Sequence, residues 1–256
     1  MSKVFDAYAY YYDLLYKEKK YQQEVDFIHE ILLSKGVNSG SILDMGCGTG
    51  IHAECLANLG FNVHGVDISP KMIESAKEKI KKGKAQLFFE EGDIRNKQIN
   101  KTYDAIVSLF HVASYQVSNE DIIAMINNAS KHLKDGGIFV FDFWYGPAVL
   151  REMPSVKIKK FENKEIKIHR IAEPIMFCNR NLVEVKYTVY VSDNKSQNEV
   201  LTEKHLMRYF FLPELEMILN SAGFKLLNSF EWLSNNPLSL SSWQGFIVAK
   251  KNDSKN

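Results

Sequence analysis

Arginine is scarce in this 256-residue chain: of 32 basic residues, only Arg95, Arg151, Arg170, Arg180 and Arg208 are arginine. Arginine reads phosphate and guanine through paired hydrogen bonds, so its scarcity argues against a nucleic-acid partner. Net charge is lacking too. The 32 basic and 31 acidic residues leave +1, without the basic excess of a nucleic-acid binder. Cysteine numbers three (Cys47, Cys55, Cys178) and never occurs as CxxC. That excludes a cysteine-based zinc site and predicts reduced thiols in the cytoplasm; no metal is expected. No apolar run approaches the ~20 residues of a membrane span, and the N-terminal MSKVFDAYAYYYD has no apolar signal core. What remains is 45% hydrophobic and 25% charged, the balance of a folded chain with one large domain or a domain with an insertion.

The middle of the chain alternates strand and helix. Strands are predicted at 41–46, 62–67, 85–93, 103–109 and 137–143, with helices at 49–60, from Pro70 to about Lys82, and at 119–133. Such alternation calls for an α/β fold: a parallel, Rossmann-like sheet with helices on both faces. From about Val156 to Tyr209 the period becomes two, as in VEVKYTVYV, which predicts an antiparallel insertion. The helical rhythm returns at Pro213, and strands at 225–233 and 243–250 complete a seven-stranded sheet. An amphipathic helix over 21–33 precedes all of this.

The most specific motif is LDMGCGTG, Leu43–Gly50, between the first strand and its helix. Gly46, Gly48 and Gly50 let the backbone turn tightly and approach a ligand closely. Asp44 precedes them, and Asp67 ends the next strand, where a carboxylate can accept both hydroxyls of a ribose. The spacing is GxGxG rather than the GxGxxG of dinucleotide loops, and the GK[ST] of a P-loop is absent.

This loop resembles motif I of the class I S-adenosylmethionine methyltransferases, and the likeness continues through GDI (Gly92–Ile94), YDAIVSLF (Tyr103–Phe110) and LKDGGIFVFDF (Leu133–Phe143). The resemblance implies S-adenosylmethionine as cofactor and S-adenosylhomocysteine as product. It implies that Gly46, Cys47, Gly48 and Gly50 pack against the methionine part, with Asp44 organising the loop. It sets Asp67 on the ribose, and Asp93 with Gly92 on the adenine edge. Ile68, Met72, Ile94 and Leu109 would supply apolar contacts. In-line methyl transfer asks the protein chiefly for alignment. The residues after the fourth strand, His111 and Tyr115, are candidates for a base or for hydrogen bonding to the acceptor. Asp142 and Trp144, at the end of the fifth strand, are candidate acceptor contacts. His169, His205 and Arg208 fall in the insertion and read as structural.

Six of the 12 tyrosines lie within the first 21 residues. Tyr8, Tyr12 and Tyr16 share one helical face, which suits a lid over the site. This block and the β insertion look like the small-molecule branch of the family, above all its amino-sugar N-methyltransferases. There a tyrosine matching Tyr16 approaches the sugar and one matching Tyr21 lies near the cofactor, with Tyr12 alongside the acceptor. The histidine those enzymes carry after the fourth strand falls at Tyr115 by ungapped count, with His111 four positions earlier. The chain thus divides into a lid (1–40), a cofactor core (41–143 and 213–250), a β-rich insertion (144–212) acting as acceptor cap or dimer contact, and a disordered tail (251–256). The expected partner is a small-molecule methyl acceptor, with neither nucleic acid nor membrane; the open edge of the insertion would offer a second copy a pairing surface. The alternatives are a protein or RNA acceptor, or non-catalytic cofactor binding. Against base methylation, no Pro-Pro-aromatic motif follows the fourth strand.

Overall fold

The computed structural model describes residues 19–80, 86–162, 166–193 and 198–253. Seven strands form the central sheet: β1 (Ser41–Met45), β2 (Asn62–Asp67), β3 (Leu87–Glu91), β4 (Tyr103–Ser108), β5 (Leu133–Tyr145), β10 (Phe224–Glu231) and β11 (Gln244–Lys251). Their order is β3-β2-β1-β4-β5-β11-β10, parallel through β5, with β11 antiparallel to both β5 and β10. The order reverses beside β1, and in such sheets the ligand crevice opens there, at the carboxyl ends of the strands.

Alternation along the strands sorts the core into two faces. In β5, Phe139, Phe141 and Phe143 enter one cluster, with α4 (Asn119–His132) and α6 (Leu212–Ser221). Ile138 and Val140 enter the other, with α1 (Tyr21–Ser34), α2 (Ile51–Asn58) and α3 (Pro70–Ile80). Each fully buried phenylalanine contributes about 1.5–3 kcal/mol of transfer free energy. Ser118 opens α4 by accepting the Asp121 N–H at 3.1 Å, and Glu120 with Asp121 places negative charge at the positive end of the helix.

The insertion is a meander of β6 (Lys157–Glu162), β7 (Ile166–Phe177), β8 (Leu182–Asp193) and β9 (Asn198–Phe210), antiparallel throughout. It joins the main sheet where Tyr209 and Phe210 pair with Trp144 and Tyr145. Strand β5 therefore runs two residues past Phe143, because Trp144 and Tyr145 have partners on β9. A short helix, α5 (Gly146–Arg151), follows it, and the periodicity gave no sign of this. The open edge of the insertion is β6, and Lys157, Lys159 and Lys160 there work against pairing with a second copy. Among the described residues no helix is long and apolar enough to cross a membrane.

Candidate active site

The glycine loop is clamped to β2: the N–H groups of Gly46 and Cys47 both donate to the Val66 carbonyl, at 2.8 and 3.1 Å. Gly46 takes φ 84° and Gly48 φ 54°, the left-handed region that favours glycine. A Cβ on Gly46 would stand 2.6 Å from the Val112 side chain. The Asp67 carboxylate braces the loop, accepting Gly48 N–H at 2.9 Å and Ser69 N–H at 2.9 Å. Asp44 lies beneath, 2% exposed, and one of its oxygens has no hydrogen-bond partner among the described residues. Burial, with the charge of Asp67 nearby, pushes the Asp44 carboxyl up to about 7.

A cavity of about 600 Å³ runs from this loop to the insertion. Gly46, Cys47, Gly48 and Asp67 line its inner end, with Ile68, Met72, Ile94 and Leu109 forming an apolar wall. Asp93 is also on the wall, its carboxylate gripped by Arg95, which reaches on to Asp121 of α4. Burial raises the Asp93 carboxyl, but the Arg95 hydrogen bonds outweigh it and hold the group below the ordinary range. Three residues expected at the cofactor stand off the cavity. Asp44 and Gly50 support the loop from behind, and Gly92 donates to the Asp67 carbonyl at 2.9 Å, holding β3 to β2.

The turn after β4 is the strained part. Phe110 and His111 both take φ 66°, an uncommon conformation for side chains with a Cβ. Asp142 of β5 holds it in place. His111 N–H donates to both carboxylate oxygens, and Gln244 donates to Oδ2 at 2.7 Å. His111 Nδ1 lies 2.8 Å from Oδ2, off the axis of a straight hydrogen bond. Burial opposes the charge on Asp142, yet His111 and Gln244 keep its carboxyl below the ordinary range. Asp142 is 0% exposed and is absent from the cavity wall. This corrects the expectation of a direct acceptor contact: its oxygens are spent on the turn, and it acts by placing His111. Trp144 does reach the wall, as do His111, Tyr115 and Tyr21. Tyr12 and Tyr16 lie outside the described residues.

Several wall residues had escaped the sequence reading. His52, on the first turn of α2, packs edge-on against Tyr21 at 5.0 Å and bonds buried Glu24 at 2.7 Å; Glu24 also pairs with Lys19. The Lys19 ammonium lies 4.4 Å from the rings of both Tyr21 and Phe110. Nothing in the spacing marks Lys19, whereas His52 follows the glycine loop closely enough to have been found. The outer end of the cavity is lined by the insertion: Lys159, Arg170, Tyr187, Lys204 and His205. His205 is therefore a wall residue, contrary to its structural reading. Arg208 fits that reading, stacked on Phe210 at 4.8 Å and bonded to Asn119.

A family model described as a methyltransferase domain matches residues 42–137, from β1 to the first half of β5. The chain carries a methyltransferase domain. It is 25% identical over 229 residues to the dTDP-3-amino-3,4,6-trideoxy-alpha-D-glucopyranose N,N-dimethyltransferase of Streptomyces venezuelae, covering 88% of this chain and 92% of that one. An S-adenosylmethionine-dependent methyltransferase of Clostridium acetobutylicum has the same fold, with TM-score 0.82 at 24% identity, covering 97% of this chain and 99% of the other. An amino pentose methyltransferase of Micromonospora echinaspora, solved with S-adenosylmethionine bound, superposes with TM-score 0.77 at 21% identity over 97% of this chain and 98% of the other. The pattern read as a cofactor fold is borne out, including the antiparallel insertion that accompanies it.

Proposed function

We propose that this methyltransferase methylates the amine of a nucleotide-linked amino sugar. The observation that carries the reading is the outer end of the cavity. There a recess of about 360 Å³ is walled by Lys157, Lys159 and Arg170 and continues past His111 and Trp144 to Trp243. Cations suit a diphosphate, and the indoles of Trp144 and Trp243, 5.3 Å apart, suit the apolar face of a sugar or base. The Streptomyces venezuelae relative carries such a substrate in its name.

The orphaned Asp44 oxygen and the apolar wall fit S-adenosylmethionine. Asp67 would take the ribose hydroxyls and Asp93 the adenine amino group, with Met72, Ile68 and Ile94 against the ring. When bound, the cofactor supplies a methyl group already activated by a sulfonium. The chain's own work is to align the acceptor and exclude water. In this reading residues 41–143 with 213–250 hold the cofactor and residues 144–212 cap the acceptor. Tyr21 and His111 touch cofactor and acceptor respectively. The three free cysteines support a cytoplasmic site of action.

Calorimetric titration of dTDP into the S-adenosylhomocysteine complex tests the recess. We expect saturable binding that weakens about tenfold in Lys159→Glu. Absence of any dTDP binding at millimolar concentration would remove the nucleotide from the proposal.

A further inference from the structure

We propose that His52 receives the α-ammonium of the cofactor's amino-acid end at Nδ1, and that Glu24 of α1 is the positioning residue that fixes the ring for this task. The inference rests on the S-adenosylmethionine reading of the cavity but not on which acceptor is methylated.

His52 is the second residue of α2, directly beyond the glycine loop. Helical side chains lean toward the helix N-terminus, so this one leans back toward the loop. It lines the inner end of the cavity with Gly46, Cys47 and Gly48, where the methionine part would pack. Glu24 stands behind it on α1, with Oε2 at 2.7 Å from His52 Nε2. Both residues are 7% exposed. Nδ1 of the same ring has no hydrogen-bond partner among the described residues. A histidine that served only to fasten α1 to α2 would not need to open onto the ligand space.

The chemistry of the pair sets the direction. Burial opposes the charge on Glu24, yet the His52 hydrogen bond and Lys19 hold its carboxyl below the ordinary range. An ionised carboxylate only accepts, so the hydrogen of His52 belongs on Nε2. Burial also disfavours a second proton on the ring and outweighs the pull of Glu24. The neutral ring then presents a lone pair at Nδ1, which takes an N–H donor and repels a carboxylate oxygen. The loop agrees with this choice. Gly46 and Cys47 spend their N–H groups on the Val66 carbonyl, Gly48 on Asp67 and Gly50 on the Cys47 carbonyl, so these four are not left for an anion. The other groups facing His52 are Tyr21, edge-on at 5.0 Å, the Lys19 ammonium and, through space, Asp142. Lys19 is paired with Glu24 and is absent from the cavity wall, so it does not turn this end into an anion site.

Calorimetry on the full chain tests the pairing with four probes that share a thioadenosine. S-adenosylhomocysteine carries ammonium and carboxylate, its decarboxylated analogue only the ammonium, its deaminated analogue only the carboxylate, and methylthioadenosine neither. His52→Gln can still donate to Glu24 through its amide but has no Nδ1. We expect it to weaken the two ammonium-bearing probes about tenfold and to leave the other two unchanged. Glu24→Gln no longer fixes the tautomer and should show the same selectivity with a smaller loss. A uniform loss across the four probes, a loss that follows the carboxylate, or no loss would overturn the proposal. Histidine ¹⁵N spectra of the unaltered chain decide if His52→Gln does not fold. We expect the His52 proton on Nε2 at mildly alkaline pH, and an Nδ1 resonance that moves with the decarboxylated probe but not with methylthioadenosine. A proton on Nδ1, or the same response to both probes, overturns the proposal. A chain that binds none of the four loses the cofactor reading and this inference with it. Binding of all four with equal affinity removes the inference alone.

Discussion

His111 and Asp142 are joined at two points: the His111 backbone N–H donates to the carboxylate at 2.9 and 3.1 Å, and ring Nδ1 stands 2.8 Å from Oδ2. The pair fixes a left-handed turn beside the ligand space from the buried stretch of an adjacent strand. It also explains why an acidic residue occupies a core position of β5, between Phe141 and Phe143.

Asp142→Asn should keep the shape but lose the charge that gathers the His111 backbone and Gln244 side-chain donors. We expect it to cost about 1–3 kcal/mol of stability and to lower kcat/KM more than tenfold, because His111 then loses its fixed place. Thermal melting and steady-state kinetics check both. The folded carboxyl is held below its unfolded value, so its contribution to stability is present above that value and is lost as pH falls through the depressed one. The Asn variant should therefore narrow its deficit in strong acid.

Asp44 behaves oppositely. Its folded value of about 7 exceeds the ordinary 3.8, so the ligand-free protein favours the neutral carboxyl and loses stability from this group as pH rises between those values. A cationic cofactor favours the ionised form. Binding of S-adenosylmethionine should release protons below pH 7 and tighten as pH approaches 7, levelling above it. Titration calorimetry in buffers of different ionisation enthalpy measures the release. Asp44→Asn should abolish it.

Gly46→Ala should damage cofactor binding without dissolving the fold. The new methyl would stand 2.6 Å from Val112 in a backbone conformation unfavourable to alanine. We expect about 1–3 kcal/mol of destabilisation and at least a tenfold loss of S-adenosylmethionine affinity, read by melting and calorimetry.

The core of the fold was legible because its signals are local. Strand period, the Ser69–Pro70 helix start and the GxGxG turn each report on a few neighbouring residues, and the structure keeps every element they predicted. Strand ends moved by up to four residues where pairing rather than propensity decides, as at Leu133 with Tyr103 and Trp144 with Tyr209. Of the cavity wall, the inner end and the residues that follow β4 and β5 were legible. Asp67, Ile68 and Met72 follow from one loop and the next strand. Lys159, Arg170 and His205 reach the same cavity through a meander much further along the chain, and no spacing encodes that approach. Asp142 was noticed but misjudged, since its sequence position says nothing of the turn that covers it.

The most direct test of the account is mass spectrometry of dTDP-3-amino-3,4,6-trideoxy-glucose incubated with the protein and S-adenosylmethionine. The account predicts a sugar nucleotide heavier by one or two methyl groups, carried on the amine, with S-adenosylhomocysteine formed in equal amount. An unmodified sugar nucleotide, under conditions where calorimetry shows both it and the cofactor bound, would contradict it.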